Sequence, residues 1–82
     1  MSERFTKKQM ALLAACAKHY PEGGDGVMVK SILGDNEHSM TTASSLARRG
    51  WVTIWENYFG EAWAYFDSQQ YSEWTHLGAI DE

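Results

Sequence analysis

The residue pattern of this 82-residue chain changes at Gly50. Before Gly50, apolar residues recur at the spacing of amphipathic helices. After it, the segments 51–55 and 62–66 are rich in β-branched and aromatic residues, and each is about as long as a strand. The residues between them, 56–61, suit a turn. The pattern therefore predicts an α+β fold in which helices precede an antiparallel hairpin.

The length and composition indicate one domain, residues 1–82, with 44% hydrophobic residues and a single cysteine. A chain of this size buries only about 60% of the surface that its unfolded form exposes. One cysteine cannot form an internal disulfide, and we expect neither a signal peptide nor a membrane span, because residues 1–10 have no apolar core and no apolar run of about 18 residues occurs. We therefore expect a cytoplasmic, non-membrane protein, and a binding or regulatory module rather than an enzyme.

Two capping boxes predict where the first and last helices begin. Thr6 with Gln9 begins the first helix, which Pro21 ends at or just before Tyr20. Asp67 with Gln70 begins a short final helix over about 68–77. The spacing predicts that the first helix packs inward through Met10, Leu13, Ala14, Ala17 and Tyr20.

Two further helices are predicted between these ends. The first spans 27–33 and is followed by Gly34, which suits a helix C-cap. The second spans about 39–49, with Ser39 as its N-cap and Gly50 just after its C-terminus. The side of this helix that faces the core is predicted to comprise Met40, Ala43, Leu46 and Ala47.

The order of these elements resembles a winged helix-turn-helix domain, similar to MarR- and ArsR-type regulators of bacteria or phages. The stretch Met28-Val-Lys-Ser-Ile-Leu-Gly34 resembles their second helix, which ends in Leu-Gly and leads into the recognition helix. That helix ends in Leu-x-x-x-Gly-Leu-Val, here Leu46-Ala-Arg-Arg-Gly50-Trp-Val52. The resemblance covers nearly the whole chain. It implies a three-helix core, a β-hairpin wing and a short C-terminal helix.

The resemblance also implies a small transcriptional regulator whose third helix enters the major groove of double-stranded DNA. When the roles in that family are assigned to the matching positions here, hydroxyl side chains approach base edges and cations contact phosphates. Arg48 contacts either a phosphate or a guanine. The residues assigned in this way are Thr41, Thr42, Ser45, Arg48, Arg49 and Lys30.

The charge distribution supports a second reading. Residues 1–50 hold all seven Lys and Arg against five acids, whereas 51–82 hold six acids and no Lys or Arg. The turn at 56–61 carries Glu56 and Glu61, although a wing that grips DNA presents cations to the phosphates. The alternative is a winged-helix protein-interaction module, such as an antirepressor, inhibitor or assembly factor, that binds a protein partner or a second copy through its acidic half.

Aromatic residues supply the contacts in this alternative. Nine of the eleven aromatic residues follow Gly50. Most should fill the core, and the turn residues among them should remain exposed, as at protein-binding surfaces. The residues assigned to a protein partner are Trp55, Tyr58, Phe59 and Trp63.

No metal, cofactor or catalytic site is predicted. Cys16 lies beside an apolar stripe and is expected to be a buried small hydrophobe. His19, His38 and His76 are scattered, without ligand spacing for zinc. The glycine-rich segment 23–26 lacks the preceding strand and the lysine of a phosphate-binding loop, so it is predicted to be an ordinary loop.

Overall fold

A computed structural model describes residues 5–23 and 26–76. Over these residues the protein has an α+β fold with four α-helices and a three-stranded antiparallel sheet. The elements are α1 (Lys7–His19), β1 (Val27–Met28), α2 (Val29–Leu33), α3 (Glu37–Arg48), β2 (Thr53–Glu56), β3 (Ala62–Tyr65) and α4 (Ser68–His76). A short 3₁₀ turn, Tyr20–Glu22, follows α1. None of the helices in this part of the chain is long and apolar enough to cross a membrane.

The sheet has the strand order β1-β3-β2, so the last strand of the hairpin lies in the middle. The hairpin pairs Trp55 with Trp63 and Ile54 with Ala64, close to where the sequence places it. On the other side of β3, Val27 pairs with Ala64 and Met28 with Trp63. The prediction of one helix over 27–33 is therefore wrong at its start, because the first two residues form a strand.

The core lies between the helices and one face of the sheet. Ala62 and Ala64 point into it from β3, and their small side chains leave room for the helices. The buried apolar residues are Leu12, Leu13, Cys16, Ala17, Val29, Leu33, Ala43, Leu46, Trp51, Val52, Ala62, Ala64, Phe66 and Trp74. Ala14 is exposed, so its predicted inward position is wrong; Leu12 lies in the core instead.

Both predicted capping boxes are present. The Thr6 hydroxyl accepts from the Gln9 amide at 3.1 Å, and the Gln9 side chain accepts from the Thr6 amide at 2.9 Å. Asp67 and Gln70 make the same reciprocal pair at 2.7 and 2.9 Å. Each box satisfies backbone donors that the first turn of a helix leaves unpaired. The predicted end of the last helix, at 77–78, lies outside the described residues.

The N-terminus of α3 differs from the prediction. Asn36, not Ser39, is the N-cap: its side-chain oxygen accepts from the His38 amide at 2.9 Å and the Ser39 amide at 3.1 Å. Ser39 is buried inside the first turn, where its hydroxyl donates to the Gly34 carbonyl and ties α2 to α3. Serine and asparagine both cap helices well. The hydrogen bond from the Ser39 hydroxyl to the Gly34 carbonyl is what removes Ser39 from the cap position.

The C-terminus of α3 is fixed as the sequence predicts. The Gly50 amide donates to Ala47 and the Trp51 amide to Leu46, both at 3.0 Å, which is the double hydrogen bond of a Schellman cap. Gly50 has a φ of +84°, which favours glycine. Trp51 is buried directly after the cap, so the helix and the hairpin are joined by a short, well-packed connection.

Candidate functional site

The outward face of α3 is a stripe of polar side chains. Glu37, Thr41, Ser44 and Arg48 are all exposed, and their spacing of three to four residues places them on one side of the helix. We call these four residues the outward face. Opposite them, buried residues that include Leu46 anchor the helix to the core. The helix therefore presents small hydroxyl groups to solvent, with an acid at its start and a base at its end.

The predicted base-contacting residues are not equally accessible. Thr41 is exposed, and its hydroxyl donates to the Glu37 carbonyl at 3.4 Å. Thr42 and Ser45 are half-buried at the flanks of the outward face. Met40, which was predicted to anchor the helix, is 37% exposed, so that prediction is wrong. The buried side of α3 is centred on Ser39, Ala43 and Leu46, and Met40 lies about 100° around the helix from Ser39, at the edge of that side.

Ser44 is a candidate that the sequence reasoning missed. It is exposed and lies between Thr41 and Arg48 on the outward face. The helical spacing in the sequence indicates this position, because Ser44 lies three residues after Thr41 and four residues before Arg48. Its small hydroxyl can both donate and accept a hydrogen bond.

A cluster of cations lies where the C-terminus of α3 meets the N-terminus of α1. The Arg49 guanidinium sits over the Phe5 ring, 5.1 Å from its centroid, so the end of α3 lies beside the start of α1. The first turn of α1 carries Lys7 and Lys8 and no acid. We call Lys7, Lys8, Arg48 and Arg49 the basic end. The partial positive charge at the N-terminus of α1 is offset by the partial negative charge at the C-terminus of α3, so the attraction of this surface for anions comes from the four side chains.

Lys30 does not join this cluster. Its amino group pairs with the Asp35 carboxylate at 3.6 Å, and both side chains are exposed. This pair lies beside the turn before α3, whereas the basic end lies at the opposite end of that helix. A helix of 12 residues is about 18 Å long, so Lys30, which the resemblance assigns to DNA contact, lies apart from the basic end.

The tip of the hairpin, residues 57–61, is a rigid turn. The Asn57 side-chain oxygen accepts from the Phe59 and Glu61 amides, both at 2.9 Å. Its side-chain nitrogen donates to the Glu61 carboxylate at 2.8 Å. The Asn57 amide donates to the Glu61 carbonyl at 2.9 Å, which closes the loop. The hairpin tip therefore has a defined shape.

Two aromatic rings project from this turn. Tyr58 is 99% exposed and Phe59 is 83% exposed, as the sequence predicts. Their rings touch edge to face, with centroids 6.1 Å apart. Large apolar side chains at such exposure are typical of binding surfaces.

Trp55 and Trp63 occupy a different place. They pair across β2 and β3 on the face of the sheet that points away from the core, and their rings stack with centroids 6.0 Å apart. Both are half-buried. A cross-strand pair of this kind stabilises a hairpin by about 0.5–1.5 kcal/mol beyond its buried area. Trp55 and Trp63 thus contact each other, and they stabilise the hairpin that carries Tyr58 and Phe59.

The interior includes the thiol of Cys16. Cys16 is buried, and burial raises the pKa of its thiol from 9.0 to about 12. It borders a cavity of about 210 Å³ with His19, Tyr20, Gly23, Tyr65 and Phe66. Among the described residues, no group of three or more His, Cys, Asp or Glu side chains could hold a metal ion.

Comparison with known proteins assigns no family. No protein-family model matches the sequence, and searches of curated proteins and of solved structures return no match. Function is therefore inferred from two surfaces: the outward face of α3 with the basic end beside it, and the hairpin tip.

Proposed function

We propose that this chain is a winged helix-turn-helix domain that binds double-stranded DNA through α3. The arrangement of three helices, a hairpin and a final helix supports this proposal, because it is the order that the resemblance to MarR- and ArsR-type regulators implies. The observation that carries the proposal is the outward face of α3, which combines exposed small hydroxyl groups with the basic end at the C-terminus of the same helix.

The shape of this surface suits a major groove. An α-helix is about 10–12 Å in diameter with its side chains, and the major groove of B-DNA is about 12 Å wide. Short side chains such as those of Thr41 and Ser44 let the helix approach the base edges closely. A hydroxyl can donate to or accept from a base, so these residues form contacts of modest selectivity.

The basic end supplies the electrostatic part of the affinity. Arg48 lies on the outward face itself and contacts a phosphate or a guanine. Lys7 and Lys8, in the first turn of α1, contact phosphates beside the groove. Thr42 and Ser45 assist at the flanks. Glu37 repels phosphates, so the overall affinity is modest.

A titration with duplex DNA tests this proposal. We expect mixed-sequence duplex to bind with a dissociation constant of about 10⁻⁴–10⁻⁶ M at physiological salt. Three phosphate contacts, from Lys7, Lys8 and Arg48, predict that the logarithm of the association constant falls with the logarithm of the salt concentration at a slope of about −2.7. The affinity therefore drops about 40-fold between 50 and 200 mM salt. The absence of binding at 50 mM salt, or binding that does not change with salt, would contradict the proposal.

A second candidate function is protein binding through the hairpin tip. It is favoured by the exposure of Tyr58 and Phe59 and by the absence of Lys and Arg after residue 49. In this case the two rings are the anchors, and Trp55 with Trp63 holds the hairpin that presents them. Phe59→Ala separates the candidates, because it removes an anchor from the tip and none of the residues assigned to DNA.

A further inference from the structure

We propose that the hairpin tip docks on the basic end of a second copy of this chain. This inference rests on the protein-binding role of the tip, and it names the partner. It does not require that the chain binds DNA.

The hairpin tip has the properties of an interface anchor. Tyr58 and Phe59 are large, amphipathic or apolar, and almost fully exposed. The hydrogen bonds of the Asn57 side chain hold the turn in one shape, so little conformational entropy is lost when the rings are buried. Aromatic side chains of this kind dominate the energetics of many protein interfaces.

Charge selects the surface on which the tip docks. The exposed carboxylate of Glu56 lies next to the turn, and the whole segment 51–82 has no Lys or Arg. The tip therefore requires a cationic partner surface. The basic end is such a surface, because it combines four cations with an acid-free first turn of α1. Complementary charge of this kind fixes the orientation of a contact and speeds encounter.

The basic end also offers the correct chemistry for aromatic rings. Arg49 already lies over the Phe5 ring within one chain, at 5.1 Å. The exposed guanidinium of Arg48, one residue earlier, can make the same kind of contact with a ring of a second copy. Arginine and aromatic residues are both enriched at protein interfaces.

The contact must be intermolecular. Both rings point into solvent in the folded chain, so the tip does not touch its own basic end. At about 3.3 Å per residue, the strand from Val52 to Asn57 separates the tip from the end of α3 by about 17 Å. A symmetric contact between two tips would bring their carboxylates together, so the charges favour a head-to-tail arrangement. Such a contact repeats from copy to copy.

Sedimentation velocity of the full chain tests this arrangement. We expect the average sedimentation coefficient to rise between about 10 μM and 1 mM protein at low salt, and to fall back when the salt is raised to about 0.5 M. Tyr58→Ala and Phe59→Ala should each weaken association about tenfold or more. Thr75→Ala, an exposed change on α4, is the control and should leave association unchanged.

A charge exchange identifies the docking surface. Glu56→Lys alone and the double variant Lys7→Glu/Lys8→Glu alone should both remain monomeric, because each places like charges together. An equimolar mixture of the two should associate. Glu73→Lys makes the same charge change on exposed α4 and should associate as the unmodified chain does. Circular dichroism of each variant confirms that the fold is retained.

Three results would overturn the inference. The first is a chain that stays monomeric at about 1 mM protein and low salt. The second is association that Phe59→Ala does not weaken. The third is association that Phe59→Ala abolishes and Lys7→Glu/Lys8→Glu does not, since the tip would then dock elsewhere. DNA binding is measured separately by the duplex titration, so its failure leaves these outcomes unaffected.

Discussion

The backbone of Gly26 lies so close to the Ala64 carbonyl that a β-carbon at position 26 would overlap it. The same β-carbon would lie 2.8 Å from the Tyr65 β-carbon. Gly26 also has a φ of +103°, which L side chains rarely adopt. It immediately precedes β1, so this close approach is what lets the short strand pair with the hairpin.

Gly26→Ala should therefore destabilise the fold by more than about 2 kcal/mol, because it combines overlap with backbone strain. Urea unfolding followed by circular dichroism measures the change. Gly60→Ala is the matched control: Gly60 has a φ of +80° and open space around it, so only strain of about 1 kcal/mol is expected. If both variants lose the same free energy of unfolding, the predicted overlap at position 26 is wrong.

Arg48→Ala should weaken duplex DNA binding and reduce the magnitude of its salt slope by about 0.9, the value for one lost phosphate contact. The control is Lys18→Ala, which removes the same charge from the last turn of α1. Lys18 lies about 16 Å along the helix from Lys7, away from the basic end. Equal slopes for both variants would indicate only a general charge effect.

Ser44→Asp should weaken duplex DNA binding about tenfold, because it places a carboxylate in the middle of the outward face, against the groove. Ser72→Asp adds the same charge on exposed α4 and should change the affinity much less. Fluorescence anisotropy with labelled duplex at fixed salt compares the two. A larger loss for Ser72→Asp would mean that α4, and not α3, faces the DNA.

The thiol of Cys16 should resist alkylation in the folded protein and react rapidly in urea, because burial raises its pKa to about 12. Since the folded state holds its proton more tightly, the contribution of Cys16 to stability is complete below pH 9 and decreases as the pH rises from 9.0 towards 12. Measuring the free energy of unfolding of the unmodified chain and of Cys16→Ala across this pH range isolates the contribution of the thiol. If the difference between the two proteins does not change with pH, the prediction is wrong.

The elements that depend on local signals could be predicted from the sequence. The capping boxes at Thr6 and Asp67 join residues only three positions apart, so α1 and α4 begin where the pattern indicates. The Schellman cap at Gly50 is local in the same way. The strand β1 could not be predicted, because it has only two residues and exists through pairing with β3, more than 30 residues later.

The candidate site was predicted in part. The exposure of Tyr58, Phe59, Thr41 and Arg48 follows from hairpin and helix periodicity, which are properties of the sequence. The proximity of Arg49 to the start of α1 depends on tertiary packing.

The two sides of α3 have separate tasks, and this separation affects how the protein can change over time. Ser39, Ala43 and Leu46 are buried and hold the helix in place, whereas the four residues of the outward face are exposed. Substitutions at those four positions should cost little stability, and under the proposed function they change the DNA that the helix binds. Under the proposed function, a lineage of such chains can thus acquire new DNA targets while the scaffold stays constant.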